Sequence, residues 1–243
     1  MQVIGHGVDP VLERDAWNCA SAFFALDEET KLAVAIPDGD AYGYGRFQVE
    51  RLAASRGEST PPDLKETFSI GPFVDASELQ SIVSRDPAAA FAYSPNRWPI
   101  EPKGMSDVMQ RYYDELAVLC EQLLSLMAQG LGMSADTFAS SIDRHTSALR
   151  LLHYPHVEPS SVASGQLRAG AHSDYGTLTL LRQDDAPGGL EVRGADDEWH
   201  PVPAEEGAYV VNIGDALERW TAGRWRSTLH RVQVPSPDSG PNE

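Results

Sequence analysis

Apolar residues step by three and four near the start of the chain and again after residue 104, whereas beyond residue 145 they alternate with polar ones. The first stretch holds Val11, Leu12, Ala16, Trp17, Ala20, Phe23 and Phe24 at helical spacing. Asp9-Pro10 precedes it, an N-cap residue followed by a proline suited to the first helical position. A second short helix is expected to begin near Asp27 and to include Lys31. Residues 104–131 predict the longest helix, with an apolar stripe of Val108, Tyr112, Leu116, Leu119, Leu123, Leu126 and Met127 that Gly130 and Gly132 bring to an end. Ser134 is expected to cap a further short helix containing Phe138. Residues 37–103 show neither period and are punctuated by Pro, Gly and Asp. They are too aromatic for a linker, so they read as irregular, ordered loops over a core, with the potential to act as a lid.

From residue 145 the pattern predicts strands at Ala148–Tyr154, Gln166–Asp174, Thr177–Arg182, Leu190–Arg193, Ala208–Ile213, Leu217–Thr221 and Arg226–Val234. Turn residues separate them, among them Pro187-Gly188-Gly189, Gly194-Ala195-Asp196-Asp197 and Gly223. Many short strands at regular spacing indicate a sandwich or barrel. Helices first and strands second make an α+β chain. The expected organisation is an N-terminal region over 1–103, a supporting helix and connector over 104–144, and a β domain over 145–243.

Composition narrows the function. A formal charge of −17 over 243 residues argues against nucleic acid and anionic membranes as partners. No apolar run approaches a membrane span. Met1-Gln2-Val3-Ile4 lacks the basic-then-apolar pattern of a secretion signal, and Cys19 and Cys120 read as free thiols in a reducing cytosol, so a cytoplasmic protein is expected. Neither G-x-S-x-G nor G-x-G-x-x-G occurs.

The candidate chemistry lies between Ala171 and His230. His172 and Asp174 sit two apart, so on a strand both point to one face. His230 follows in Ser227-Thr228-Leu229-His230-Arg231-Val232, another strand-like run. Two imidazoles and a carboxylate can hold three neighbouring positions of a metal and leave the others open, as in non-heme Fe(II) oxygenases. The same donors also suit zinc, and a bare H-x-D also fits a strand with two solvated polar residues. Arg168 would share the His172 face and could pair with an anionic substrate, or be a solvated charge. Asn212 either faces the site or makes a structural hydrogen bond. His6, between two glycines, reads as structural. Pro155 separates His153 from His156 and disfavours them as a metal pair. Asp184-Asp185 reads as a solvated turn, and Asp215 as a cap after Ile213.

With the strands placed, the chain resembles the isopenicillin N synthase-like branch of the Fe(II)/2-oxoglutarate-dependent oxygenases. Ile4-Gly5-His6-Gly7-Val8 is similar to that family's "NHGV" turn, and Phe23-Phe24 with Leu26 and Lys31 to its "FF-x-LP-x-x-x-K" helix. Gly43-Tyr44 and Pro62-Asp63-Leu64-Lys65-Glu66 resemble its "GY" and "DLKE" segments. Leu149 to Pro155 resembles its "R-x-N-x-Y-P" strand, and Ala171-His172-Ser173-Asp174 its metal motif. Val211 to Asp215 and Ser227 to Val232 resemble the strands leading to its distal histidine.

The resemblance implies a double-stranded β-helix, or jelly roll, with N-terminal helices packed outside it. It implies iron at His172, Asp174 and His230, with 2-oxoglutarate and O₂ as co-substrates and a small molecule as substrate. Tyr154 stands where the family has a tyrosine touching the 2-oxoglutarate carboxylate. Leu152 stands where it has an asparagine, and Asn212 would face the co-substrate from a neighbouring strand. Two departures stand out. The family has an earlier strand before the "NHGV" turn, and an Arg-x-Ser motif about ten residues after the distal histidine, whereas no arginine follows Arg231. The expectation is a sequence shortened at both ends and a jelly roll lacking its last strands. An iron oxidase of the same fold that dispenses with 2-oxoglutarate, or an inactive fragment, are the alternatives.

Overall fold

The computed structural model describes residues 1–184 and 189–235. In chain order its elements are β1 (Gln2–Val3), α1 (Pro10–Phe24), α2 (Glu28–Leu32), β2 (Gly43–Gly45), β3 (Glu66–Ile70), α3 (Ala76–Arg85), α4 (Ala89–Ala92), α5 (Met105–Gly130), α6 (Ala139–Ile142), β4 (Leu149–His153), β5 (Ala169–His172), β6 (Leu178–Leu181), β7 (Leu190–Arg193), β8 (Trp199–Pro201), β9 (Tyr209–Ile213), α7 (Asp215–Trp220) and β10 (His230–Val232). A 3₁₀ turn at Leu52–Arg56 precedes β3. The fold is α+β, and its contacts divide it into two compact units.

The first unit comprises Met1–His6, Phe47–Lys65 and Tyr154–Glu243. It holds a four-stranded sheet ordered β5-β10-β7-β8 and a three-stranded sheet ordered β1-β9-β6. All pairings are antiparallel. From β5 to β10 the chain passes back and forth between these sheets, which is the winding of a jelly roll. Ala169, Leu190, Tyr209, Val211 and Leu217 are buried in it. The N-terminal ammonium donates to the Val211 carbonyl at 3.1 Å and so ties β1 to β9.

The second unit comprises Gly7–Arg46 and Glu66–His153. Its sheet is ordered β2-β3-β4, and α1 packs on α5. Asp9 caps α1 by accepting from the Val11 N–H, with Pro10 at the first turn. Asp27 caps α2 by accepting from the Thr30 N–H. At the centre Phe23, wholly buried, meets the Phe68 ring at 4.6 Å. Glu66 is also buried, and three donors compensate it: Lys31 at 2.8 Å, His153 Nδ1 at 2.7 Å and the Tyr44 hydroxyl. Burial alone would raise the Glu66 pKa, but these donors outweigh it and hold the carboxyl down at about 2.

Several sequence expectations are corrected. Residues 37–103 are not irregular throughout: they contain β2, β3, α3, α4 and the 3₁₀ turn. Every residue of β3 is buried, so the alternation that marks a half-exposed strand is missing there. In α3 the start signal is local, with Asp75 accepting from the Ser77 and Glu78 N–H groups. Leu217–Thr221 is not a strand but falls in α7 and its end. Its Leu-Glu-Arg composition favours a helix, with Asp215 and Glu218 in the first turn and Arg219 in the last. Ser134 does not cap a helix. Its hydroxyl donates to Asp136, and α6 starts only after Phe138. β8 lies outside the predicted strands, and β5 is shorter than the strand expected there. The turns expected at Asp184-Asp185 and Pro187-Gly188-Gly189 lie partly, and residues 236–243 wholly, outside the described residues. Among the described residues, no helix is long and apolar enough to cross a membrane.

Candidate metal centre

The pairing of β5 with β10 sets His172 directly opposite His230. Both are strand-end residues of an antiparallel pair, so their side chains leave the sheet side by side. The imidazole centroids lie 4.2 Å apart, tilted by 53°. Asp174 lies just past the end of β5, on a loop that the start of α7 holds in place. The Asp215 N–H donates to the Asp174 carbonyl at 2.7 Å, and the Ser173 hydroxyl donates to the Asp215 carboxylate at 3.1 Å. The Gly214 N–H donates to the Thr177 carbonyl at 2.9 Å. Gly214 must be glycine for this approach, because a Cβ there would stand 2.2 Å from the Gly176 carbonyl oxygen. Asp215 therefore begins α7 and does not merely close a turn after β9.

The three side chains each offer a ligand atom within 4.8 Å of the others. His230 Nε2 stands 3.7 Å from Asp174 Oδ1. Adjacent donors of an octahedral ion with bonds of about 2.1 Å would be about 3 Å apart, so the trio stands near the spacing of three neighbouring positions. Both imidazoles are held in the tautomer a metal needs. His172 Nδ1 lies 2.7 Å from the Gly170 carbonyl and His230 Nδ1 lies 3.2 Å from the Thr228 carbonyl. A carbonyl only accepts, so each Nδ1 carries a proton, and in the neutral ring the lone pair then lies on Nε2, where a metal would bind. Burial, reinforced by the neighbouring His230, lowers the His172 pKa and favours the neutral ring. Asn212, on β9, donates through Nδ2 to Asp174 Oδ2 at 2.7 Å, leaving Oδ1 toward His230. The same Nδ2 lies 3.3 Å from His230 Nδ1, but two N–H donors do not bond each other, and the shorter contact to Asp174 is the hydrogen bond. An outer contact thus aims each member of this set of two imidazoles and one carboxyl group. The set suits a divalent first-row ion with open positions.

A buried carboxylate supports this arrangement from behind. Asp63 is 2% exposed, accepts from the Gly170 N–H at 2.9 Å through Oδ1 and accepts from the Leu52 N–H at 3.1 Å through Oδ2. Gly170 is the residue whose carbonyl orients His172. Lys65 Nζ lies 3.7 Å from Asp63 and 3.0 Å from Glu50. In the sequence this stretch stands out only as part of a family segment. The sole hint of its role is an acid and a lysine at alternate positions. Beside His172 a cavity of about 270 Å³ opens between Glu50, Arg51, Ser173 and Tyr175.

Arg168 is not a solvated charge: it is 8% exposed. Its guanidinium lies over the Tyr154 ring at 5.7 Å, so these two candidates stand together. His6 Nε2 lies 3.1 Å from the Gly207 carbonyl, and its ring meets Tyr209 edge-on at 4.6 Å, a structural placement. His153 is engaged by Glu66, and His156 lies 3.6 Å from Glu158.

Comparison with known proteins agrees with this geometry. The sequence model of the 2OG-Fe(II) oxygenase superfamily matches residues 145–240, and that of the non-haem dioxygenase in morphine synthesis N-terminal region matches residues 1–101. Validamycin A dioxygenase of Streptomyces hygroscopicus subsp. limoneus is 32% identical over 240 residues, covering 98% of this chain and 64% of that protein. The 2-oxoglutarate-dependent dioxygenase ecdK of Aspergillus rugulosus is 33% identical over 253 residues, covering 97% of this chain and 71% of that protein. The chain thus spans about two thirds of the length of these relatives. Among solved structures, a full-length Neurospora crassa protein in complex with alpha-KG and thymine superposes with a TM-score of 0.79 at 32% identity, over 96% of this chain and 70% of that one. JOX2 with 2OG, Fe and JA superposes with a TM-score of 0.76 at 26% identity, over 98% of this chain and 63% of that one.

Proposed function

The chain belongs to the 2-oxoglutarate and Fe(II) oxygenase superfamily, and from that premise we propose that it is an Fe(II)- and 2-oxoglutarate-dependent oxygenase of a small molecule. The observation that carries this reading is the trio His172, Asp174 and His230, converging with both imidazoles protonated on Nδ1. Bound Fe(II), with 2-oxoglutarate and O₂ as co-substrates, supplies the oxidising chemistry; the protein supplies position and shelter.

In this reading His172 and His230 ligate through Nε2 and Asp174 through Oδ1. Asn212 keeps the Asp174 carboxylate from rotating, because its amide holds the other oxygen. Tyr154 contacts the co-substrate carboxylate, as in the family. The cavity beside His172 takes the substrate: its volume of about 270 Å³ suits a compact organic molecule. Tyr175, 75% exposed at its rim, offers a flat apolar face there. The Neurospora crassa protein is crystallised with thymine and JOX2 with JA, small molecules of the class proposed. The free thiols of Cys19 and Cys120 fit a reducing, cytoplasmic setting.

The test is release of labelled CO₂ from 2-oxoglutarate carrying the label at C1. Release is expected to require Fe(II) and to be lost in His172→Ala and Asp174→Ala. Release that is undiminished in either variant, or absent from a chain that has bound iron, would count against the proposal.

A further inference from the structure

The sheet that carries both histidines has a second face. β10 and β7 pair in regular register, with His230 opposite Val192 and Arg231 opposite Glu191. β7 pairs with β8 so that Arg193 stands opposite Trp199. Side chains alternate between the faces of a strand, so Arg231, Glu191, Arg193 and Trp199 share the face turned away from His230. Their contacts agree with this. Arg231 Nε donates to Glu191 at 2.7 Å, and its guanidinium carbon lies 4.1 Å from the centre of the Trp199 ring. The Arg193 guanidinium carbon lies 6.0 Å from the same ring.

Between this face and residues 53–61 lies a cavity of about 290 Å³, wholly within the first unit. Arg56, Arg193 and Arg231 line it together with Trp199 and Thr60, and none of the three metal donors does. On a chain of formal charge −17, three arginines around one cavity are a local exception that marks a place for anions. The carboxylates beside them hold them incompletely. Arg56 bonds Glu58, and Arg231 bonds Glu191, through Nε, so among the described residues the terminal amino groups of both arginines make no hydrogen bond. Glu58 and Asp197, the partners of Arg56 and Arg193, have side chains 48% and 80% exposed, where water screens their charge. Asp63 also borders the cavity, but two backbone N–H groups and Lys65 already hold it. The Thr60 hydroxyl is buried without a hydrogen-bond partner, a costly state that an oxygen of a ligand would relieve.

We propose that this cavity binds a compact polyanion, a small molecule carrying two or more carboxylate or phosphate groups. A planar guanidinium matches either oxyanion through paired N–H donors, and the Trp199 ring holds the Arg231 plane in place for that contact. The volume lies at the small end of ligand pockets, which suits a compact molecule. The sheet itself separates this site from the metal centre, so it takes its ligand with or without iron, and it does not rest on the function proposed above.

The probes are pyrophosphate and citrate, titrated separately into the metal-free full chain at low ionic strength, by calorimetry and by thermal unfolding. At least one is expected to bind with a Kd of about 1 mM or tighter and to raise the melting temperature. Arg56→Gln is expected to fold as before, because the ion pair it removes is solvent-screened, and to lose about 10- to 100-fold in affinity, the worth of a charge-assisted hydrogen bond. Thr60→Val keeps the shape of the side chain without its hydroxyl and is expected to lose about 2- to 10-fold. Glu58→Gln frees Arg56 and is expected to bind the anion as tightly or more so. Absence of binding by both probes at that level would overturn the proposal, as would undiminished binding in Arg56→Gln or weaker binding in Glu58→Gln. Binding that is lost in His172→Ala would put the anion at the metal centre and overturn it too. Pyrophosphate bound without citrate assigns the site to phosphorylated molecules, and citrate without pyrophosphate to polycarboxylates. Binding of both assigns it to the oxyanion pattern the two share.

Discussion

Replacing Asp63 with asparagine tests how far the metal centre depends on residues behind it. The substitution preserves shape and removes a charge. At present one carboxylate accepts two backbone N–H groups, from Gly170 at 2.9 Å and Leu52 at 3.1 Å. An amide has one acceptor oxygen and one NH₂ group, so one of these buried donors loses its acceptor and faces another donor. The lost charge-assisted bond is worth about 1.5–3 kcal/mol, and the stranded N–H costs about 1–3 kcal/mol more. Lys65 keeps Glu50 at 3.0 Å, which limits the electrostatic damage. A net destabilisation of about 3 kcal/mol is expected, a large share of a typical domain's stability. The Gly170 shift reaches the metal because its carbonyl holds His172 Nδ1 at 2.7 Å. Loss of such an outer contact typically lowers metal affinity about 10- to 100-fold. Urea unfolding measures the first effect and Fe(II) titration of the folded variant the second. Unchanged Fe(II) affinity in a destabilised Asp63→Asn protein would refute the coupling; unchanged stability would refute the strut itself.

Asn212→Leu should keep the fold but weaken Fe(II) binding about 10- to 100-fold, because Asp174 loses its 2.7 Å donor; calorimetry with Fe(II) reads this directly. Gly214→Ala should cost about 1–3 kcal/mol in urea unfolding, since the new Cβ meets the Gly176 carbonyl at 2.2 Å and the Asp174 loop must move. The Glu66 carboxyl sits at about 2 against 4.5 in the open, so its contribution is complete above pH 4.5 and is lost as pH falls toward 2. That difference is worth up to about 3 kcal/mol, and Glu66→Gln should flatten the stability profile of the chain over that window in urea unfolding.

The sequence made the helices legible where one face carries an unbroken apolar stripe, as in α1 and α5, and where Asp9 and Asp27 cap them. It made the strands of the β region legible where one face is buried and one is not. It failed at β3, which is buried on both faces, and at α7, where Leu217 and neighbouring polar residues can be read with either period over so short a run. The metal donors could be picked out because an H-x-D pair and a distant strand histidine form a rare set. Their alignment could not be, because it depends on β5–β10 register, which places His172 against His230. The outer contacts are less visible still. Asp63 acts on the Gly170 N–H, and the Gly170 and Thr228 carbonyls act on the two histidines; a backbone N–H or carbonyl leaves no mark in residue identity. Burial of Arg168 is hidden for a related reason: whether a charged residue is solvated depends on what folds over it.

The central claim is that His172, Asp174 and His230 form one open-sided iron site that takes a 2-oxo acid as chelating ligand. Its most direct test is anaerobic titration of the chain with Fe(II) and 2-oxoglutarate, followed in the visible region for the charge-transfer band of the chelated complex. The predicted result is a band that needs both components and disappears in His172→Ala. Tight Fe(II) binding with no band on adding 2-oxoglutarate, or a band that survives in His172→Ala, would contradict it.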